Sequence, residues 1–146
     1  MEHIEFVYTM GMDEADVERR LRDAEAGVLS LADGDDAYAV PVSHHYEDGS
    51  VFFRLSDDAH SEKLAFVETT RRACFVVYGV EGADESWSVV ATGTLRPVEG
   101  AAAERFDAAG INDRFGPLRV FDEAIDEVDV VVLELDVEEV TGRRTT

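Results

Sequence analysis

The chain has 146 residues, with 33 acidic against 13 basic side chains and a net charge of −20. That length suits one domain with a substantial core, and that charge argues against general binding to nucleic acid or to anionic lipid surfaces. No apolar run approaches the ~20 residues that span a bilayer, the single cysteine, Cys74, excludes an internal disulfide, and the first residues, Met1 to Gly11, lack the basic flank and apolar stretch of a secretory signal.

In chain order, Asp13 is a capping residue for a helix over Glu14–Ala26, with Val17, Leu21 and Ala24 on one stripe and Gly27 as the stop. Val28–Ala32 reads as a short strand closed by the turn cluster Asp33, Gly34, Asp35 and Asp36. Ala37–Tyr46 and Val51–Leu55 read as strands joined by a hairpin turn over Glu47–Ser50. Ser61–Thr70 is expected to be helical, with Leu64 and Val67 inward. Ala73–Gly79 is an aromatic and β-branched strand, Glu81–Glu85 a loop, and Trp87–Val98 a long strand. Ala101–Ala109 and residues 117–126 are expected as helices, and Val128–Val137 as the last strand. Six strands with flanking helices and no repeat or linker predict a single mainly β (α+β) domain over residues 1–146, built as a small barrel. Closing the sheet removes its exposed edges.

The acids are spread along the whole chain, and Lys63 is the only lysine. A uniformly acidic surface repels itself in dilute buffer, whereas at molar salt the Debye length falls to about 3 Å and the repulsion is screened. The expectation is a halophilic protein working in a salt-rich cytoplasm.

The usual chemical signatures are missing. His44 and His45 are neighbours on a strand, where successive side chains point to opposite faces, so they do not share one metal ion in regular geometry. Cys74 opens an apolar strand and reads as a small core residue. There is no nucleophile elbow, no dinucleotide fingerprint and no Walker loop.

Three features remain. Ser61 stands at a helix start, where free backbone N–H groups and positive partial charge suit a phosphate, with Lys63 beside it and Arg54 and Ser56 at the end of the preceding strand. An ordinary cap with a solvated lysine would look the same. In Val40-Pro41-Val42-Ser43, a mid-strand proline cannot donate to a ladder and so implies an edge or a gap in pairing, where backbone groups are free to meet a flat heteroaromatic ring. A plain edge strand accounts for Pro41 equally well. The only tryptophan, Trp87, followed by Ser88, opens the long strand, in a place that suits core packing, an interface or stacking on a ring.

In order and spacing these segments resemble the flavin-binding split-barrel family that includes pyridoxamine 5′-phosphate oxidase, and within it the small branch of flavin-nucleotide-binding and nitroimidazole-resistance-like proteins. The likeness runs from about Gly27 to Gly93 through Tyr38–Ser43, Asp48–Phe53, Ser61-Glu62-Lys63, Arg72–Val76 and Trp87–Gly93. It implies a split β-barrel with flanking helices and a homodimer that binds two FMN molecules at its interface. By position, Val40, Pro41, Val42 and Ser43 would lie along the isoalloxazine and ribityl chain. Ser61 and Lys63 would hold the phosphate, as the family's Ser-x-Lys does, with Arg54 and Ser56 beside them. Trp87 and Ser88 would reach the flavin across the dimer.

Trp87 stands where the oxidase pattern has an arginine, and Val137–Thr146 lacks the oxidase's basic C-terminal segment, so the resemblance does not extend to oxidation of pyridoxamine phosphate. No catalytic acid or base is marked. The expectation is an FMN-dependent oxidoreductase that takes electrons from a nicotinamide donor and passes them to a small substrate. The alternatives are a non-catalytic FMN-binding or storage module, the same fold around a deazaflavin or a haem held by His44 or His45, or an acidic interaction protein with no cofactor.

Overall fold

The computed structural model describes residues 9–57, 62–99 and 129–145, with side chains at 10–55, 65–99 and 131–145. The helices expected over Ala101–Ala109 and 117–126 lie outside the described residues. The elements run β1 (Thr9–Gly11), α1 (Glu14–Asp23), β2 (Ala26–Asp33), β3 (Asp36–Glu47), β4 (Ser50–Asp57), α2 (Glu62–Thr69), β5 (Ala73–Val80), β6 (Ser86–Pro97) and β7 (Asp129–Thr145). Neither described helix is long and apolar enough to cross a membrane.

The strands form one sheet in the order β1-β7-β4-β3-β2-β5-β6, and β6 pairs back onto β7. Six strands therefore close into a barrel, with β1 attached outside the ring to the end of β7. All pairings are antiparallel. Closure depends on β7, whose first half pairs with β4 while Leu133–Arg144 pairs with β6. Opposite Thr92 and Gly93 the register skips Glu138, a bulge that bends β7 along β6. Gly93 is required there, because a Cβ would collide with the carbonyl oxygen of Asp136.

Two hairpin turns set the register of β2, β3 and β4. Gly34 at φ +58° opens the two-residue turn between Asp33 and Asp36. Asp48 and Gly49, at φ +51° and +81°, form the turn between Glu47 and Ser50. Both use the left-handed conformations that two-residue hairpins demand.

Inside the ring, Leu29, Phe53, Phe75, Val77, Val89, Leu133 and Leu135 are fully buried. Phe53 and Phe75 meet edge to face, with centroids 4.8 Å apart. Helix α1 covers one end of the barrel. Asp13 caps it by accepting from the Asp16 N–H at 2.8 Å. Glu14 and Asp16 lie in its first turn, Arg20 and Arg22 in its last, as the helix dipole favours. Val17 and Leu21, one turn apart, bury its inner face.

The helix stops at Asp23, short of Gly27. Ala24 is already extended, and Gly27 belongs to β2, where a Cβ would strike the Val76 carbonyl oxygen and the Phe75 ring. The glycine serves close packing rather than helix termination. Helix α2 is tied to the end of β2 through threonine hydroxyls. Thr70 accepts from the Ala32 N–H at 3.0 Å, and Thr69 donates to the Ala32 carbonyl at 3.0 Å.

Candidate functional site

The hairpin turn between Asp33 and Asp36 makes those two residues a hydrogen-bonded pair. By alternation Tyr38, Val40 and Val42 then direct their backbone groups to β2, while Ala37, Ala39 and Pro41 direct theirs to the other side. On that other side β4 pairs with β3 only from Ser43↔Arg54 onward. Beyond this point β4 continues through Leu55, Ser56 and Asp57 against β7 alone. The two strands therefore fork, and the edge of β3 from Ala37 to Val42 has no strand partner among the described residues.

Pro41 lies in the fork and explains it. A ladder continued by two residues past Ser43 and Arg54 would need an amide hydrogen that proline does not have. The mid-strand proline thus marks a gap in pairing, as its position in the sequence implies. Its ring is exposed, while Val40 and Val42 put their side chains into the core. What β3 offers to the fork is backbone: the amides of Ala37 and Ala39 and the carbonyls of 37, 39 and 41. Ala37 and Ala39 carry no signal in their side chains, and only the register identifies them.

Helix α2 packs on the Tyr38 end of β3, where the Phe66 ring stacks on Tyr38 at 5.1 Å with an interplanar angle of 18°. Lys63 belongs to the first turn of α2, and Ser56 to the diverging end of β4. Their side chains lie outside the described ones, as does Ser61 altogether. Arg54 is the last β4 residue still paired with β3, opposite the fully buried Ser43. The fork thus sets the backbone of 40–43 beside Arg54 and the diverging end of β4, which carries Ser56.

Trp87 and Ser88 are elsewhere in the chain. They start β6, separated from β3 by β2 and β5. Trp87 is firmly seated. Its indole N–H donates to Glu81 Oε1 at 3.3 Å, and the Arg20 guanidinium lies 4.4 Å from the ring centroid. Gly79 opposite leaves room for the indole. With Tyr78, Val80 and Arg143, Trp87 and Ser88 line a shallow pocket of about 250 Å³, beside which Tyr78 and Val80 are largely exposed. This seat, and α1's part in it, leave no trace in local sequence pattern.

The histidines face opposite ways. His44 is buried, with Nε2 2.8 Å from the Leu21 carbonyl oxygen and its ring 4.8 Å from Phe75. Burial holds its pKa below the usual histidine value. His45 is half-buried and pairs with Glu47 at 3.2 Å. Burial also pushes the Cys74 thiol up, which keeps it protonated and a poor nucleophile.

A family model described as pyridoxamine 5′-phosphate oxidase matches residues 13–144. No curated protein matches the sequence as a relative. Several solved structures share the fold. A FAD-binding protein from Mesorhizobium loti is 16% identical with a TM-score of 0.74, over 94% of this chain and 99% of that one. A candidate 5-nitroimidazole antibiotic resistance protein from Bacteroides thetaiotaomicron is 18% identical with a TM-score of 0.72, over 99% of this chain and 95% of that one. A FAD-binding protein from Mycobacterium smegmatis is 14% identical with a TM-score of 0.69, over 93% and 98% of the two chains.

Proposed function

The chain belongs to the pyridoxamine 5′-phosphate oxidase family, and from that premise we propose that it binds FMN at the fork between β3 and β4 and acts as a flavin-dependent oxidoreductase on a small substrate. The observation that carries the reading is the edge of β3 over Ala37–Val42, which has no strand partner among the described residues. An unpaired row of amides and carbonyls at the edge of an apolar wall matches what an isoalloxazine presents, a flat ring with polar atoms along its rim.

In this reading the Ala39 amide and the carbonyls of Ala39 and Pro41 hydrogen-bond the ring's rim. Pro41 keeps the ladder from closing over them. Ser61 and Lys63 hold the phosphate at the start of α2, where the helix dipole adds to the ammonium charge, and Arg54 and Ser56 supply further phosphate contacts. The partner's Trp87 and Ser88 cover the site in a homodimer, and the exposed Tyr78 and Val80 next to this pair suit a face covered by a second copy. When bound, the flavin supplies hydride and electron transfer between a nicotinamide donor and an oxidised acceptor such as a nitro compound or quinone. The chain's own contribution is to orient the ring and keep water from it. A haem held through His44 fits poorly, because that imidazole is bonded to Leu21 and packed on Phe75 inside the barrel. The net charge of −20 supports a salt-rich cytoplasm as the place of action.

The test is to titrate the protein with FMN in high salt, following flavin fluorescence. NADH or NADPH is then added anaerobically, and reoxidation is followed with a panel of nitro compounds and quinones. Saturable binding and acceptor-dependent turnover are expected. Binding without reduction would reduce the reading to an FMN-holding module, and no FMN binding at any salt concentration would remove it.

A further inference from the structure

A second opening lies at the far end of β3. Tyr46 is five residues beyond Pro41 on the same extended strand, so the two places are roughly 17 Å apart. This cavity measures about 780 Å³ and sits between α1 and the C-terminal half of β7. Its floor is Met12, Val17, Leu21, Val137 and Val140. Its polar groups gather on the α1 side, where Glu14 and Glu18 are one helical turn apart and Tyr46 faces them from β3.

On this rim two carboxylates, Glu14 and Glu18, face one guanidinium, Arg143, and Arg22 lies within electrostatic reach of Tyr46. The Tyr46 hydroxyl donates to Glu18 Oε1 at 3.4 Å. Burial and the Glu18 carboxylate push the phenol's pKa up, so it remains a neutral donor and does not offset Glu18. Glu14 has no ion pair or side-chain hydrogen bond among the described residues. Arg143 stands on the β7 side. Two adjacent carboxylates over an apolar floor, in a protein of net charge −20, draw cations and repel anions. The volume lies within the roughly 300–1,000 Å³ typical of small-molecule pockets.

We propose that this cavity is a second ligand site, separate from the β3/β4 fork, for a small organic monocation with an apolar body. The body lies on Val17, Leu21, Val137 and Val140, and an ammonium group meets Glu14 and Glu18. Arg143 on the other side disfavours a second positive charge. This assignment does not depend on the FMN reading.

Three ligands of one shape and different charge test it by calorimetric titration of the full chain: 2-phenylethylamine as its cation, 2-phenylethanol, and 3-phenylpropanoate. The amine should bind about tenfold more tightly than the alcohol, and the carboxylate more weakly than either. The Glu14→Gln, Glu18→Gln double variant should erase the amine's advantage and leave the alcohol's affinity unchanged. Val140→Trp should fill the floor and abolish binding of both, while FMN titration of the same variants stays as in the parent. Val140 is 41% exposed, so the larger ring has room to be accommodated. Should that variant fail to fold, the glutamate pair decides alone. The proposal is overturned if the amine does not bind at about 10 mM, if charge makes no difference, or if binding survives Val140→Trp.

Discussion

His44 Nε2 lies 2.8 Å from the carbonyl oxygen of Leu21 and ties the barrel wall to the last turn of α1. The contact requires a proton on Nε2, since a carbonyl can only accept. Nδ1 is buried with no hydrogen-bond partner, so a second proton would be placed in an apolar setting with no acceptor. The folded protein therefore holds this imidazole neutral, with its pKa below 6.5.

A pH dependence follows from that neutral ring. Because the folded pKa lies below the unfolded value, the unfolded chain binds the proton first as pH falls. The contribution of His44 is complete above 6.5 and is lost as pH drops from there through the folded pKa. The comparison is with His44→Gln, whose amide can still donate to Leu21 but does not titrate. The parent's advantage in melting temperature over this variant should shrink between about pH 8 and pH 5. An advantage that is constant across the range would contradict the buried neutral imidazole.

Lys63→Ala separates phosphate binding from ring binding. A charge-assisted hydrogen bond to a phosphate contributes about 1.5–3 kcal/mol, so FMN affinity should fall roughly tenfold to a hundredfold. Riboflavin, which has the ring and no phosphate, should bind parent and variant equally. An equal loss for both flavins would mean that Lys63 matters for the fold of α2 rather than for the ligand.

Gly93→Ala places a methyl group against the Asp136 carbonyl at the bulge where β7 bends along β6. Backbone has nowhere to yield there without unpairing the strands. We expect a loss of about 1–3 kcal/mol in urea unfolding. Ala91→Gly, two residues away on the same strand, opens space instead of filling it and serves as the contrasting variant.

Salt should stabilise this protein. With a net charge of −20, self-repulsion opposes the compact state in dilute buffer and is screened at molar KCl. The melting temperature should rise by roughly 5–10 °C between dilute buffer and multimolar KCl. A flat profile in differential scanning calorimetry would refute the halophilic reading.

Most of the barrel is legible in the sequence because its walls follow period-two alternation between clear turn residues. Asp48-Gly49 and Gly34-Asp35 place two hairpins, and Pro41 places the fork. What is not legible depends on distant partners. β7 runs on to Thr145, well past the expected end at Val137, through a polar stretch that is a strand only because β6 and β1 pair with it. β1 is three residues long and exists through the same pairing, which makes seven strands where the pattern marks six. At the fork, local residue type draws attention to Val40 and Val42, yet the register turns their side chains inward and leaves Ala37 and Ala39 to face the opening. That distinction is a matter of parity, counted from the turn at Gly34-Asp35.

The reach of β7 also governs when the protein can fold. This strand touches β4, β6 and β1, and no ring exists without it. Its residues are synthesised after every strand they pair with. While the ribosome still holds residues beyond Asp129, β4 and β6 have exposed edges, which are templates for pairing with other chains. The ring therefore cannot close before the residues of β7 have emerged. Until then, a nascent chain of this kind relies on its own negative charge to keep neighbouring copies apart.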